Sequence, residues 1–290
     1  MNVSLVVNPA AGSNTARSLD RISSLLKKKA SLSSFITEKQ GDAFEFAQGS
    51  KKTDRIIVAG GDGTINEVIN GLLSSDDPET QEIPLAIIPC GTANVFAKEL
   101  GIPEDIDGAV HRIFSGLVNK ISLGLINGRY FSLMAGIGFD AETVLGVKND
   151  FIKKISGKLA HVVSGLKVLI HHKPAPMRII TSDKELHGYT AVIGNAKCYG
   201  GFFYVTPDAS VTDDHLDVCV FQGKTRLDLL RFVGGVLRHK HLDFKDVEYL
   251  KATELEITSD STVHVQIDGE YFGTLPVKIE VIRDAINVVW

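Results

Sequence analysis

The chain's 290 residues, 44% hydrophobic and 23% charged, supply enough apolar material for one large globular domain or two modest ones and exclude a disordered polypeptide. Its 31 Lys and Arg against 35 Asp and Glu give a formal charge of −4, without the basic excess that holds a protein on nucleic acid, so no nucleic-acid partner is expected. Cys90, Cys198 and Cys219 lie far apart with no Cys-x-x-Cys pair, which fits a reducing compartment and indicates neither a disulfide framework nor a thiolate zinc site.

The N-terminus opens directly on the strand-like run Val3–Val7, with neither a basic leader nor a long apolar stretch, so no secretory signal is expected. A helical stretch over Thr15–Lys29, a strand at Phe35–Thr37, a helix near Asp42–Ser50 and a strand at Arg55–Ala59 complete a βαβαβ pattern. A helix from Ile65 to Leu73, the strand Leu85–Ile88 and a helix starting near Ala93 extend it, predicting a parallel sheet with crossover helices. From about Lys120 strand-like runs dominate: Lys120–Ile126, Tyr130–Ala135, Met177–Thr181, Tyr189–Asn195, Leu216–Phe221, Glu254–Thr258, Val263–Ile267 and Val277–Ile282. Helical segments near 153–172 and 226–238 interrupt them. No apolar run approaches the about 18 residues of a membrane span, and a cytoplasmic protein is expected. The expected architecture is α/β, with an open parallel-sheet domain over residues 1–122 and a β-rich, sandwich-like domain over 123–290 whose tail is free to pack back on the first. A cleft between two such domains is the default site.

Three strands of the first half run into a glycine-bearing loop and then a helix: Asn8-Pro9-Ala10-Ala11-Gly12, Gly60-Gly61-Asp62-Gly63-Thr64 and Cys90-Gly91-Thr92-Ala93-Asn94. In a parallel sheet these loops share the carboxyl edge, where open α/β sheets bind ligands. Gly60, Gly61 and Gly63 permit positive φ and bare the backbone amides to an anion. Thr64 with Glu67 reads as a capping box, so a phosphate would meet a helix N-terminus; the plainer alternative is a tight turn without a ligand. Two other phosphate signatures fail. Gly223-Lys224-Thr225 lacks the Walker glycine five residues earlier, where Val218 stands, and reads as a loop. Gly136-Ile137-Gly138-Phe139-Asp140-Ala141 lies in the β-rich half, outside any opening βαβ unit.

With Asn8–Gly12, Thr37 followed by Gly41-Asp42-Ala43, Gly60–Glu67, Gly91–Asn94, Pro207-Asp208-Ala209 with Asp213 and Asp214, and Asp268-Gly269-Glu270 in order, the whole chain resembles the diacylglycerol kinase catalytic-domain family. That family includes bacterial lipid kinases, sphingosine kinases and ceramide kinases, and is related more distantly to NAD kinases. The resemblance implies an ATP-binding α/β domain and a second, sandwich-like domain carrying the lipid side. It implies that Asn8, Pro9, Ala10, Ala11, Gly12, Thr37, Gly61, Asp62, Gly63, Thr64, Ile65, Asn66, Glu67 and Thr92 surround ATP. It also implies a magnesium ion on Asp213 and the main-chain oxygens of Ser210 and His215. Asp268 then accepts the proton of the lipid hydroxyl, with Glu270 beside it. The chain departs from the pattern twice: Val95 replaces a common Asp, and Asp213-Asp214-His215 replaces Asp-Asp-Gly, so Asp214 is the alternative metal ligand.

Read on their own, these residues keep plainer alternatives. Asp268-Gly269 is first a hairpin turn, and Asp208, Asp213 and Asp214 a solvated acidic loop. His171-His172 and His239 with His241 sit with Lys and Arg at helix ends and read as surface capping groups. The stripe Ile155, Leu159, Val162, Val163, Leu166, Leu169 and Ile170, opposed by Lys153, Lys154, Lys158, Lys167 and His171, is a core-packed helix or an interfacial one. The resulting expectation is an ATP- and Mg²⁺-dependent lipid kinase acting on a diacylglycerol-like or sphingoid-like hydroxyl, meeting the membrane peripherally and reversibly through Lys153–Lys173. A kinase for a soluble substrate such as NAD, and a nucleotide-binding regulator without turnover, are the alternatives.

Overall fold

The structure, a computed structural model, describes residues 1–12, 15–148, 174–198 and 203–290. It divides into two units, Met1–Leu123 with Arg283–Trp290, and Gly124–Ile282.

In the first unit β1 (Asn2–Val7), β2 (Ser31–Ile36), β3 (Arg55–Gly60) and β4 (Leu85–Pro89) run parallel in the order β2-β1-β3-β4. The chain's last strand, β16 (Val277–Val289), pairs parallel with β4 through Val288 and Leu85. Ile56–Ala59 and Leu85–Ile88 are buried throughout, as unbroken apolar strands covered on both faces must be. The helices α1 (Thr15–Lys27), α2 (Asp42–Gln48) and α3 (Asp62–Leu73) supply cover. α3 turns Ile65, Val68, Ile69 and Leu72 inward at helical spacing, and α2 turns in Ala43 and Ala47. Three short helices complete the unit: α4 (Pro78–Gln81), α5 (Val95–Glu99) and α6 (Ile106–Ser115), the last capped by Asp105 Oδ1 accepting from Gly108 N at 2.7 Å.

The chain passes into the second unit within β5 (Val118–Ile126). After β6 (Arg129–Phe131), which pairs with β5, come β7 (Met134–Gly138), α7 (Phe139–Lys148), β8 (Met177–Thr181), β9 (Glu185–Gly188), β10 (Thr190–Gly194), β11 (Leu216–Phe221) and α8 (Arg226–Leu237). A 3-10 turn (His241–Asp243) leads to β12 (Val247–Ala252), β13 (Glu254–Thr258), β14 (His264–Ile267) and β15 (Glu270–Thr274). Six strands form an antiparallel sheet, β12-β11-β10-β7-β14-β15. The first half of β16 pairs with β13, followed by β8 and β9, to make the second layer. Ala135, Ile137, Ile193 and Val218 of one layer join Ile179, Leu255, Ile257 and Ile279 of the other in one core, the packing of a β-sandwich.

The parallel α/β part and the antiparallel sandwich are those expected from the sequence, with local corrections: β2 starts at Ser31 and ends before Thr37, α6 and α7 were not expected, and β16 runs on past Ile282 to Val289. The run Tyr130–Ala135 is not one strand: the chain leaves β6 at Phe131 and enters the other sheet at Met134, so Ser132 and Leu133 form a corner between layers. β9 and β12 went unforeseen, and β15 was implied only by the hairpin reading of Asp268-Gly269, because Glu185–Gly188, Val247–Ala252 and Glu270–Thr274 interleave charged residues or glycine with apolar ones on half-exposed backbone. α3 begins at Asp62, three residues before the expected Ile65. The helix expected near 153–172, with His171 and His172, lies outside the described residues. Among the described residues no helix is long and apolar enough to cross a membrane.

α2 and α3 approach so closely at Gly71 that a Cβ there would lie 2.3 Å from the Phe44 carbonyl oxygen. Gly71→Ala gains about 1 kcal/mol of helix propensity, but the obstacle is backbone and cannot turn away, so overpacking of about 1–3 kcal/mol dominates. We expect a lower urea midpoint for this variant; an unchanged or higher one would show that the helices part freely.

Candidate active site

The first unit's carboxyl sheet edge gathers the three glycine-bearing loops. Val7 and Ala59, and Gly60 and Pro89, are register neighbours, so the loops after β1, β3 and β4 start side by side. Asn8 ties the first to the second: its Nδ2 donates to Thr64 Oγ1 at 2.9 Å, while its Oδ1 accepts from Ala10 N at 3.0 Å. Gly61 and Gly91 join the second to the third, since a Cβ on Gly91 would stand 2.6 Å from the Gly61 Cα. Asp62 completes the joint, accepting from Val95 N at 3.1 Å and Phe96 N at 2.9 Å, and so capping α5 from another loop. Thr37 donates its hydroxyl to Val7 O, and Glu67 Oε1 accepts from Gly41 N at 3.1 Å. Of the expected ligand-side residues, Thr64, Ile65, Asn66 and Thr37 are buried, Thr92 and Ala10 are exposed, and Asn8, Pro9, Ala11, Gly12, Gly61, Asp62, Gly63 and Glu67 lie half-buried along the edge.

This geometry corrects the expected role of the glycines and of the capping box. Gly61 has φ −100°, and neither Gly60 nor Gly63 is among the positive-φ residues; the requirement here is close backbone approach. Thr64 and Glu67 do not cap the helix together, because α3 starts at Asp62 with Gly61 as its N-cap. Thr64 serves Asn8 and Glu67 serves Gly41. Gly61, as N-cap, makes no side-chain cap hydrogen bond, and the one acidic residue of the first turn of α3, Asp62, is turned to the amides of Val95 and Phe96.

In the second unit Asp268 and Gly269 form the turn between β14 and β15 with φ +49° and +82°, the left-handed pair of a two-residue hairpin. The turn also holds a clamp. Asp268 Oδ2 accepts from Ser132 N at 2.8 Å and Ser132 Oγ at 3.0 Å, and Oδ1 from Leu133 N at 2.9 Å and Met134 N at 3.0 Å. These donors lie at the corner where the chain changes sheets, and two of the amides, Ser132 and Leu133, sit outside both strands. Burial around Asp268 raises its carboxyl above the usual range, against the pull of the bonds from Ser132, Met134 and Leu133. Behind the turn, Gln266 Oε1 accepts from Gly269 N at 2.8 Å and its Nε2 donates to Asp140 Oδ2 at 2.6 Å. Glu270 Oε2 pairs with Arg129 Nη2 at 3.2 Å. Gly136 is glycine because a Cβ would collide with Asp140 and Gln266, which accounts for the Gly-x-Gly run without a dinucleotide.

A third group stands where the loop after Thr206 enters β11. Asp213, His215 and Asp217 each bring one ligand atom within 4.8 Å of the others, with His215 Nε2 3.4 Å from Asp213 Oδ2 and 3.9 Å from Asp217 Oδ2. Asp217 is fully buried and neither of its oxygens accepts a well-aligned hydrogen bond. Burial raises its carboxyl, with Tyr249, Lys251 and His215 pulling the other way. Asp214 points elsewhere, exposed and 3.0 Å from His215 Nδ1. Ser210 directs its hydroxyl to Thr212 and its carbonyl to Asp213 N. The sequence reading missed Asp217; the alternation Asp213-x-His215-x-Asp217 entering a strand was the available signal. It missed Ser132 and Gln266 as well, for which no motif exists. His241 is a further correction: it is buried, its Nε2 2.9 Å from Val205 O, and burial lowers its pKa, so it is no surface capping group. Thr225 ends the failed Walker run as the N-cap of α8, in a capping box with Asp228.

Glycine-lined edge and sandwich together are matched by known proteins. Residues 2–126 fit the family model of the diacylglycerol kinase catalytic domain, and residues 134–290 that of the YegS C-terminal NAD kinase beta sandwich-like domain. A diacylglycerol kinase of Bacillus subtilis (strain 168) is 32% identical over 86% of this chain and 82% of its own length. One of Staphylococcus haemolyticus (strain JCSC1435) is 31% identical over 98% of this chain and 86% of its own. A solved structure of a diacylglycerol kinase from Bacillus anthracis str. Sterne superposes with a TM-score of 0.77 at 26% identity, covering 100% of this chain and 96% of that one. Fold and relatives define a phosphotransferase with an alcohol group as acceptor. The chain belongs to the diacylglycerol kinase family.

Asp62 is the residue on which the joint between two loops turns. Asp62→Ala leaves the Val95 and Phe96 amides without their acceptor, at a cost of about 1–2 kcal/mol for a lost cap. We expect faster hydrogen exchange at these two amides and a lower melting temperature; unchanged exchange would show that Asp62 caps nothing in solution.

Proposed function

We propose that the chain is an ATP- and Mg²⁺-dependent lipid kinase that transfers the γ-phosphate to a hydroxyl of a diacylglycerol-like or sphingoid-like lipid, with the peripheral, reversible membrane contact that such a substrate demands. One observation carries the reading: relatives named diacylglycerol kinase match nearly the whole chain, both units included. The first unit holds the nucleotide phosphates on the amides after β3 and at the start of α3, between Asn8 and Gly91, where glycine leaves room for backbone to approach an anion. The second unit supplies Asp268 as the group that takes the hydroxyl proton, with Glu270 beside it.

Asp268 already accepts from at least four donors, which fill the about four lone-pair sites of a carboxylate. Three are fixed amides and one is the Ser132 hydroxyl, which rotates. A substrate hydroxyl therefore takes the place of Ser132 Oγ–H on Oδ2, and the elevated pKa makes that oxygen a better base than an exposed carboxylate. Asp213 and Asp217 fit magnesium: both are hard oxygen donors, close together, and the buried Asp217 lacks a well-aligned donor. Ser210 and His215 add their main-chain oxygens. Bound there, the cation supplies charge compensation for phosphoryl transfer.

The discriminating experiment is γ-phosphate transfer from ATP to diacylglycerol, phosphatidylglycerol, sphingosine, ceramide and undecaprenol, with NAD included. Transfer to NAD alone would overturn the lipid reading, and tight ATP binding with no transfer to any acceptor would favour a regulator. Asp268→Asn should lower the melting temperature, because the amide cannot accept from all four donors, and, assayed where the variant is still folded, should lower turnover by about two to four orders of magnitude with ATP affinity retained. The pH profile of kcat/KM should fall on its acid side above the ordinary Asp value of about 4, because Asp268 must be ionised to accept a proton and its pKa is raised. An acid limb at or below that value would assign the proton to another group. Asp213→Ala and Asp217→Asn should each raise the Mg²⁺ concentration needed for half-maximal turnover; if Asp214→Ala alone does so, Asp214 is the ligand.

A further inference from the structure

The run Gly136-Ile137-Gly138-Phe139-Asp140-Ala141 stands behind the turn that carries Asp268. In the antiparallel sheet Gln266 of β14 faces Gly136 of β7 on one side and Tyr271 of β15 on the other. The register between β14 and β15 shifts at Val265 and Gln266, and an irregularity of that kind re-aims a side chain. Gln266 is fully buried, with its amide over Gly136: a Cβ there would lie 2.6 Å from Gln266 Nε2 and would collide with the Asp140 carboxylate. Asp140 is the second residue of α7, just past Gly138, whose φ of +83° marks the bend from β7 into the helix. Glycine at 136 thus opens the space in which a buried amide and a buried carboxylate meet.

Two bonds fix the Gln266 amide. Its Nε2 donates to Asp140 Oδ2 at 2.6 Å and its Oε1 accepts from Gly269 N at 2.8 Å. A backbone N–H only donates, so the oxygen must face Gly269 and the nitrogen Asp140. The consequence falls on Asp268. Its own amide donates to Met134 O at 2.9 Å, and the amide that follows is the one Gln266 takes. Both peptides flanking Asp268 are therefore held, one by β7 backbone and one by a buried side chain. Between them Asp268 stands at φ +49°, a left-handed conformation less favourable for a residue with a Cβ than for glycine. The Gln266 bond matters most when an acceptor hydroxyl replaces Ser132 Oγ on Oδ2, for the carboxylate then rests on three amides alone.

We propose that Gln266, oriented by Asp140, is a positioning residue for phosphoryl transfer: it holds the peptide between Asp268 and Gly269 so that Oδ2 meets the acceptor hydroxyl in place. This rests on the reading of Asp268 as the proton acceptor, and it gives the Gly136-to-Ala141 run a part in the reaction without a nucleotide. Gln266→Asn, one methylene shorter, cannot span both partners, and Gln266→Leu removes both bonds at similar volume. Each should lower kcat for lipid phosphorylation in detergent about 10- to 100-fold, the loss that misplacement by about 1 Å brings, while KM for ATP stays within about twofold. The Gly269 amide should exchange its hydrogen faster in both, measured on the protein without substrate. Gln266→Glu/Asp140→Asn reverses the polarity of the chain, since the new carboxylate accepts from Gly269 N and from the new amide. The pair should recover kcat to within about threefold of the parent and restore slow exchange at Gly269, a rescue that a loss of packing would not produce.

The proposal is overturned if folded Gln266→Asn or Gln266→Leu keeps the parent's kcat, or slows turnover with Gly269 exchange unchanged. It is overturned too if KM for ATP rises while kcat holds, the mark of a part in nucleotide binding. The same holds if the reversed pair melts like the parent yet is as slow as Gln266→Asn. Where Gln266→Leu fails to fold, Gln266→Asn and the reversed pair decide. Failure of the underlying reading would register separately: Asp268→Asn would turn over like the parent, or the parent would phosphorylate no lipid, while Gly269 exchange still reports whether Gln266 holds the turn.

Discussion

The second unit depends on how one carboxylate settles a topological problem. A chain that leaves one layer of a sandwich for the other must break its ladder, and the amides at the corner lose their strand partners. Here the break falls at Ser132 and Leu133, and Asp268 takes both amides together with that of Met134. Each such amide left unsatisfied would cost about 1–3 kcal/mol, so replacing the carboxylate threatens a sum comparable to a small domain's whole stability. The left-handed backbone at Asp268 and Gly269 is what brings the side chain over the corner, and Gln266 holds the turn from behind through Gly269 N. Turn and corner are therefore one device. Any chemistry assigned to Asp268 draws on a group whose position the fold cannot release.

The first unit solves a different problem, bringing three loops close enough for backbone to do what side chains do elsewhere. Gly61 and Gly91 exclude even a methyl group between them, and Asp62 ties the loop after β3 to the start of α5. Val95 is buried and donates its amide to Asp62. The position thus contributes both a core side chain and a backbone donor to the joint.

How much of this was legible follows from the range of each interaction. The buried strands Arg55–Gly60 and Leu85–Pro89 declare themselves as unbroken apolar runs, and Leu216–Phe221 and Glu254–Thr258 by β-branched or alternating residues; all came within a residue of their ends. Asp268-Gly269 was legible as a hairpin because its turn chemistry is local. Its bonds to Ser132, 136 residues away, were not, since nothing in Phe131-Ser132-Leu133-Met134 marks a corner between sheets. The α3 start was misplaced for the same reason. Thr64 and Glu67 have cap-box spacing, but Asn8 and Gly41, distant in sequence, claim their side chains first. Asp217 lay inside an apolar run, where a single Asp is easily passed over unless its alternation with Asp213 and His215 is followed.

Asp217 and Asp268 also show why burial alone does not define a site. Both are carboxylates held above their usual pKa by desolvation. Asp268 is compensated internally, by backbone donors that fold with it. Asp217 is compensated by side chains instead, Tyr249, Lys251 and His215, and two of its neighbours, Asp213 and His215, are themselves candidate ligand groups. A buried anion whose compensation is incomplete costs free energy that a bound cation would offset. Its cost falls when a cation binds, and by linkage whatever binds the folded state and not the unfolded one stabilises it. The two aspartates thus differ in what surrounds them: backbone amides of a sheet corner for Asp268, and the side chains of Tyr249, Lys251 and His215 for Asp217.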